Sequence, residues 1–119
     1  MTHRTGAELI DEAKSRIREV TPDEAMRQAE SNSSTVFLDC REANEWNLAH
    51  IPGAVFIPRG SLETKVEAII PRDSKVIIYC ASGNRSAFAA ETLGQMGYGD
   101  VASMKGGIRA WVDAGGEVE

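Results

Sequence analysis

Cysteine and histidine are both scarce in this 119-residue sequence, with two of each. Two cysteines do not build a disulfide framework. A reducing compartment, the cytoplasm, is therefore the expected setting, and each thiol needs a chemical account of its own. The two histidines, His3 and His50, lie far apart in the chain and form no metal-ligand cluster. Long apolar runs are missing too. The longest, Val76 to Ala81, has six residues, against the roughly 20 that cross a bilayer as a helix. The first residues are charged and amphipathic and lack the apolar centre of a signal peptide. Positive charge is not in excess: 13 Lys and Arg face 18 Asp and Glu, for a net charge of -5. That balance argues against a nucleic acid or an anionic membrane as partner for the whole surface, though not against one small cationic pocket. No repeat or low-complexity tract is present.

What remains is ordinary globular material, 42% apolar and 26% charged. The length suits one domain that buries about two-thirds of its unfolded surface. Ile10, Ala13, Ile17 and Val20 recur at steps of three and four, which predicts one helix over Ala7–Val20. Thr21, Pro22 and Glu24 spell a capped start for a second helix, running to about Glu30. Strands and helices then alternate. Thr35–Asp39 and Ala54–Ile57 read as strands, and Ser61–Ile70 as a helix. Lys75–Tyr79 is the strongest strand; its unbroken apolar run suits a central parallel strand covered on both faces. A helix follows over about Arg85–Met96, then a strand at Val101–Ser103. Gly106 and Gly107 open a last helix ending at Ala114. The alternation predicts an α/β domain with a mostly parallel sheet. Ligand sites in such sheets lie beyond the carboxyl ends of the strands. Two strand ends carry chemistry: Asp39-Cys40-Arg41 and Cys80 to Arg85.

Cys80 leaves a buried strand, enters a tight loop and is followed by a helix. Gly83 and Asn84 tolerate unusual backbone angles. A loop that curls around the sulfur points several N–H groups at one spot, and the helix N-terminus adds partial positive charge. Such surroundings lower a cysteine pKa into a range of ~3.5–7.5. On this reading Cys80 is a nucleophile that needs no histidine base. The plainer alternative is a buried structural cysteine.

Three segments carry a family resemblance. Leu38-Asp39-Cys40-Arg41-Glu42 with Ala49-His50-Ile51-Pro52-Gly53-Ala54 resembles the first signature of the rhodaneses. Cys80-Ala81-Ser82-Gly83-Asn84-Arg85-Ser86 resembles their active-site loop, and Gly106-Gly107-Ile108-Arg109-Ala110-Trp111 their closing motif. The order and spacing also match, so residues 21–119 resemble a single rhodanese domain and residues 1–20 stand as an N-terminal helical extension. The resemblance implies a rhodanese-like fold of about five mainly parallel strands with helices on both faces. It implies a sulfurtransferase in which Cys80 takes sulfur from thiosulfate or a similar small anion, becomes a persulfide, and passes the sulfur to cyanide or a thiol. No cofactor or metal is implied. A sulfur-relay protein is a further candidate partner, and a low-turnover carrier or interaction module is the alternative. Tyrosine phosphatases place five residues between their cysteine and arginine. Here four, Ala81 to Asn84, stand between Cys80 and Arg85, and the smaller ring favours one sulfur atom over a tetrahedral phosphate.

The supporting residues each have two readings. Arg85 orients an anionic donor or locks the loop through carbonyls or an acid; the helix dipole gives it no other reason to be there. Ser86 bonds inside the loop or is merely small. Asp39 and Arg41 are implied by the resemblance to brace the loop, or they form a plain ion pair. Arg59, after Ile57-Pro58, is a donor-binding cation or a surface arginine. His50 reads as structural and Trp111 as core. Cys40 fills apolar space, or, if the two strands are neighbours, resolves a Cys80 persulfide into a disulfide.

Overall fold

The computed structural model describes residues 3–119. Five strands form one sheet: β1 (Arg18–Val20), β2 (Val36–Asp39), β3 (Val55–Phe56), β4 (Lys75–Tyr79) and β5 (Asp100–Met104). Their order is β1-β5-β4-β2-β3, and every pairing is parallel. The helices are α1 (Gly6–Ser15), α2 (Pro22–Ser31), α3 (Ala43–Leu48), α4 (Leu62–Ile69), α5 (Asn84–Gln95) and α6 (Gly107–Asp113). Among the described residues no helix is long and apolar enough to cross a membrane.

β4 is central, and its apolar run is buried on both faces. Side chains alternate across a strand. Val76, Ile78 and Cys80 join a cluster with Leu62 and Val66 of α4 and Ala89, Ala90 and Leu93 of α5. Ile77 and Tyr79 join another with Ala25 of α2 and Trp111 of α6. α2 begins as its sequence predicts: the Thr21 hydroxyl accepts from the Glu24 N–H at 3.2 Å, and the Glu24 carboxylate accepts from the Thr21 N–H at 3.1 Å.

One local expectation fails, and one helix goes unforeseen. The helix predicted over Ala7–Val20 ends at Ser15, and Arg18–Val20 becomes the edge strand beside β5. Ile17 packs on the α5 side of the sheet while Val20 is buried on the other. A chain rounding a sheet edge can serve both faces; one helical face cannot. The second miss is α3, six residues with no buried member. Its capping acid, Glu45, matters below.

The connections determine where the site must lie. From β2 the chain moves outward to β3, returns to β4 beside β2, and then moves the other way to β5. The direction reverses between β2 and β4, and the crevice beyond their carboxyl ends is the binding position in sheets of this kind. Cys40 and Cys80 are the first residues past those two ends.

Candidate active site

Asp39 pairs in register with Tyr79, and the Cys40 N–H donates to the Tyr79 carbonyl at 3.1 Å. Cys40 and Cys80 are therefore neighbours on the α4/α5 face, where both are buried and unbridged. The segment from Cys80 to Ser86 closes around the Cys80 sulfur. The Gly83 N–H donates to it at 3.1 Å and the Ser86 N–H at 3.4 Å, with the Ser86 hydroxyl at 3.5 Å. The Ser86 hydroxyl also lies 2.8 Å from that of Ser103 on β5. Against a thiolate, the chain of donors runs Ser103 to Ser86 to sulfur.

Gly83 makes the ring possible. Its φ is 101°, in the left-handed region, and a side chain there would press on the Gly106 nitrogen at 3.1 Å. Ala81 offers its carbonyl to the Arg109 N–H at 3.4 Å, and the Cys80 carbonyl accepts from the Ile108 N–H at 2.9 Å. The start of α6 thus clamps the loop from behind. Ser82 is exposed at the rim, and Asn84 opens α5.

These contacts pull the Cys80 pKa from an ordinary 9.0 down to about 4, and the first cause is the Cys40 thiol; burial opposes the shift, while Ser86 and Gly83 add to it. The Cys40 thiol donates to the Tyr79 carbonyl at 3.5 Å. Cys40 itself is pushed far above the usual thiol range by its contact with Cys80 and by burial. The two neighbouring sulfurs are driven apart, Cys80 toward the anion and Cys40 toward the neutral thiol.

Arg41, Arg59 and Arg85 are each committed to a carboxylate. Arg85 makes a two-pronged ion pair with Glu45 of α3, at 2.7 and 3.0 Å. Glu45 is held down to about 2, first by Arg85, and its Oε1 also accepts from the Glu42 N–H at 3.0 Å. So the acid expected to lock Arg85 exists, on a helix that the apolar pattern does not reveal. Arg41 and Asp39 form a buried pair at 2.7 Å, and Arg41 also donates to the Ala49 carbonyl at 2.6 Å. Asp39 neighbours Cys40 in the strand, so it points to the opposite face from the sulfur. The bond of this pair to Ala49 supports the segment between α3 and β3. The Arg59 guanidinium bonds Glu63 at 3.0 Å and Thr92 at 3.2 Å. Thr92 lies eight residues into α5, ~12 Å along its axis, so Arg59 is not brought to the loop mouth. His50 stacks on Trp46 with ring centres 3.6 Å apart, as a structural residue. Ser103 and Glu45 are the site neighbours that sequence reasoning misses. Both arrive from other elements.

The family model for the rhodanese-like domain matches residues 21–114. Bacillus subtilis YrkF, named as a sulfur carrier protein, is 36% identical over 108 residues, which is 91% of this chain and 58% of YrkF. The Saccharomyces cerevisiae thiosulfate:glutathione sulfurtransferase is 32% identical over 96 residues, covering 71% of this chain and 69% of that protein. A solved Rhodopseudomonas palustris structure, described as a protein of unknown function and possible tyrosine phosphatase, superposes with a TM-score of 0.88 at 37% identity, over 100% of this chain and 97% of that one. The chain spans 58% of the length of YrkF and 24% of two further curated relatives that it matches. Parallel sheet, cysteine loop and family match agree: the chain belongs to the rhodanese-like family.

Proposed function

We propose that this protein is a sulfurtransferase that carries sulfane sulfur on Cys80. The donor is thiosulfate or a similar small sulfur-containing anion, and the acceptor is cyanide or a cellular thiol. In the first step the Cys80 thiolate attacks the outer sulfur of the donor. A new S–S bond forms, the donor's own sulfur bond breaks, and with thiosulfate the electron pair leaves on sulfite. In the second step the acceptor attacks the terminal sulfur, and Cys80 leaves as a thiolate. The scheme is covalent and ping-pong. The observation that carries it is the ring of donors from Gly83 and Ser86 around a sulfur already ionised at neutral pH. Preorganised donors of this kind stabilise charge without reorganising during the reaction. Arg85 locks the loop through Glu45, and Asp39 with Arg41 braces the Ala49 segment. A reducing cytoplasm suits a resting thiolate.

The phosphatase description of the Rhodopseudomonas structure has a direct counterweight in the loop. The four residues between Cys80 and Arg85 make a smaller ring that favours one sulfur atom over a tetrahedral phosphate, and the loop arginine is tied to Glu45. A second reading, a low-turnover sulfur carrier serving a relay protein, is favoured by the name and similarity of YrkF. The test is intact mass after brief incubation with thiosulfate. The reading requires a gain of one sulfur atom, lost on adding cyanide and absent in Cys80→Ser. A gain without turnover in the presence of acceptor selects the carrier. Retained transfer by Cys80→Ser refutes the mechanism.

A further inference from the structure

Cys40 is a nucleophilic side chain that the cycle above leaves without a reaction of its own. Its N–H donates to the Tyr79 carbonyl at 3.1 Å, continuing the parallel ladder in which Asp39 lies opposite Tyr79. The residue opposite Cys40 is therefore Cys80. Neighbouring strands lie ~4.8 Å apart, inside the ~4.4–6.8 Å over which two Cα atoms accept a disulfide without backbone movement. Both side chains join the α4/α5 cluster, so they lie on one face of the sheet, and both are free thiols. The position of Cys40 also sets which sulfur of a loaded Cys80 it reaches. Cys80 is 1% exposed and Cys40 0%. An acceptor from solvent meets the outer, added sulfur. Cys40, inside the core beside the Cys80 side chain, meets the inner one.

We infer that Cys40 is a resolving cysteine: when no acceptor arrives, it attacks the inner sulfur of the Cys80 persulfide, forms a Cys40–Cys80 disulfide and expels sulfide, which gives the protein a second activity, the reduction of sulfane sulfur to hydrogen sulfide. The inference rests on the sulfur-transfer reading above, which supplies the persulfide. Cys40 gives its thiol proton to the departing sulfur, and its own sulfur bonds to the Cys80 Sγ. The bond between the Cys80 Sγ and the added sulfur breaks, and the electron pair leaves on HS⁻. The added sulfur is reduced and Cys40 is oxidised; the donor's sulfane sulfur is the oxidant, and no other enters. A small thiol, attacking the disulfide and then the mixed disulfide, returns both cysteines to their resting state. At rest the Cys80 sulfur is the first cause that keeps Cys40 protonated. Loading moves the Cys80 charge one atom outward, which weakens that cause and leaves the inner sulfur as the electrophile. The resting site thus holds the reaction off, and loading releases it.

The experiment loads the whole protein briefly with thiosulfate, or with polysulfide where thiosulfate gives no gain, in the absence of air. Excess donor is removed by rapid desalting. Intact mass under non-reducing conditions and released sulfide are then followed over the minutes to hours typical of thiol–disulfide rearrangement. The wild-type mass should pass from one sulfur above the reduced protein to two hydrogens below it, with one sulfide released per disulfide formed, and peptide mapping should join Cys40 to Cys80. Cyanide added at the start should divert the sulfur to thiocyanate and leave both thiols free. Cys40→Ser keeps a donor for the Tyr79 carbonyl; it should hold its persulfide through the same interval and release no sulfide until a thiol is added. If that variant fails to fold, the wild-type peptide map decides alone. A wild-type persulfide that persists, sulfide release without the Cys40–Cys80 link, or loss of sulfur from Cys40→Ser at the wild-type rate overturns the resolving role and leaves sulfur transfer standing. No mass gain on Cys80 with either donor overturns both.

Discussion

Gly107→Ala should cost the protein both stability and its site, because this glycine is where α6 meets the loop. Gly107 has φ of 63°, and an L-residue in the left-handed region costs ~1–2 kcal/mol. Its added methyl would overlap the Cys80 carbonyl and lie 2.6 Å from the Ala81 carbonyl oxygen. To restore ordinary contact at 3.4 Å with its nearest atom, the Cys80 carbonyl oxygen, the loop has to retreat by about 1 Å, and a shift of that size costs ~100-fold in rate. That retreat also loosens the 2.9 Å bond from the Ile108 N–H to Cys80, for ~1 kcal/mol more. The expected sum is about 2–3 kcal/mol, or roughly 10 °C in Tm for a domain of this size. Calorimetry reads the first effect, and the rate of Cys80 alkylation by iodoacetamide reads the second. Gly94→Ala is the control. It sits in α5 with nothing within 4 Å of its would-be methyl, and a helical alanine there should stabilise by ~0.5–1 kcal/mol. A Gly107→Ala protein with unchanged Tm and a Cys80 rate within threefold of wild type would refute the clamp.

Three further outcomes follow from the same geometry. The folded pKa of Cys80 lies below its ordinary value, so the reactive thiolate persists down to acid pH; alkylation should stay level from pH 8 to 6 and fall only near pH 4, and an inflection above pH 7 would contradict the donor ring. Cys40→Ala removes the neighbouring thiol that is the first cause of the lowered Cys80 pKa, so that inflection should rise by about one unit or more, with sulfur loading at pH 7 within threefold of wild type and hand-off to cyanide slower. Asp39→Asn leaves Arg41 buried without its carboxylate, a loss of ~3–5 kcal/mol in urea unfolding, while the folded variant keeps its Cys80 alkylation rate, since the pair faces away from the sulfur; a slowed rate would show that the pair shapes the loop directly.

The parts legible in the sequence are those whose cause is local. β4 is readable because a strand covered on both faces needs an unbroken apolar run, and α2 because Thr21 and Glu24 close their own capping box. Cys80 and its loop are readable because strand, glycine and helix start follow one another along the chain. The parts that escape have distant causes. Arg18–Val20 continues the three-and-four spacing of α1, and only pairing with β5, over 80 residues later, makes it a strand. α3 is six polar-rich residues with no periodic face. Glu45 gains its meaning from Arg85, 40 residues away, and Ser103 from Ser86 across the sheet. Local pattern thus supplies the nucleophile, while the site's charge balance depends on contacts between elements.

That division bears on what the low Cys80 pKa is for. Lowering a thiol from 9.0 to about 4 raises its ionised fraction at pH 7 by ~100-fold. Thiolate nucleophilicity falls with pKa, with a Brønsted slope of ~0.4–0.5, so five units cost ~100- to 300-fold in attack. The two effects cancel or nearly so, and loading gains little. Leaving-group ability has no such offset, because a lower pKa departs faster. In the proposed cycle Cys80 is the leaving group when the acceptor attacks the persulfide. The donors from Gly83 and Ser86 then act chiefly on release of sulfur. Cys40→Ala separates the two halves of the cycle for this reason: its raised Cys80 pKa leaves capture almost untouched and slows discharge. Discharge depends on the ring of donors around the sulfur.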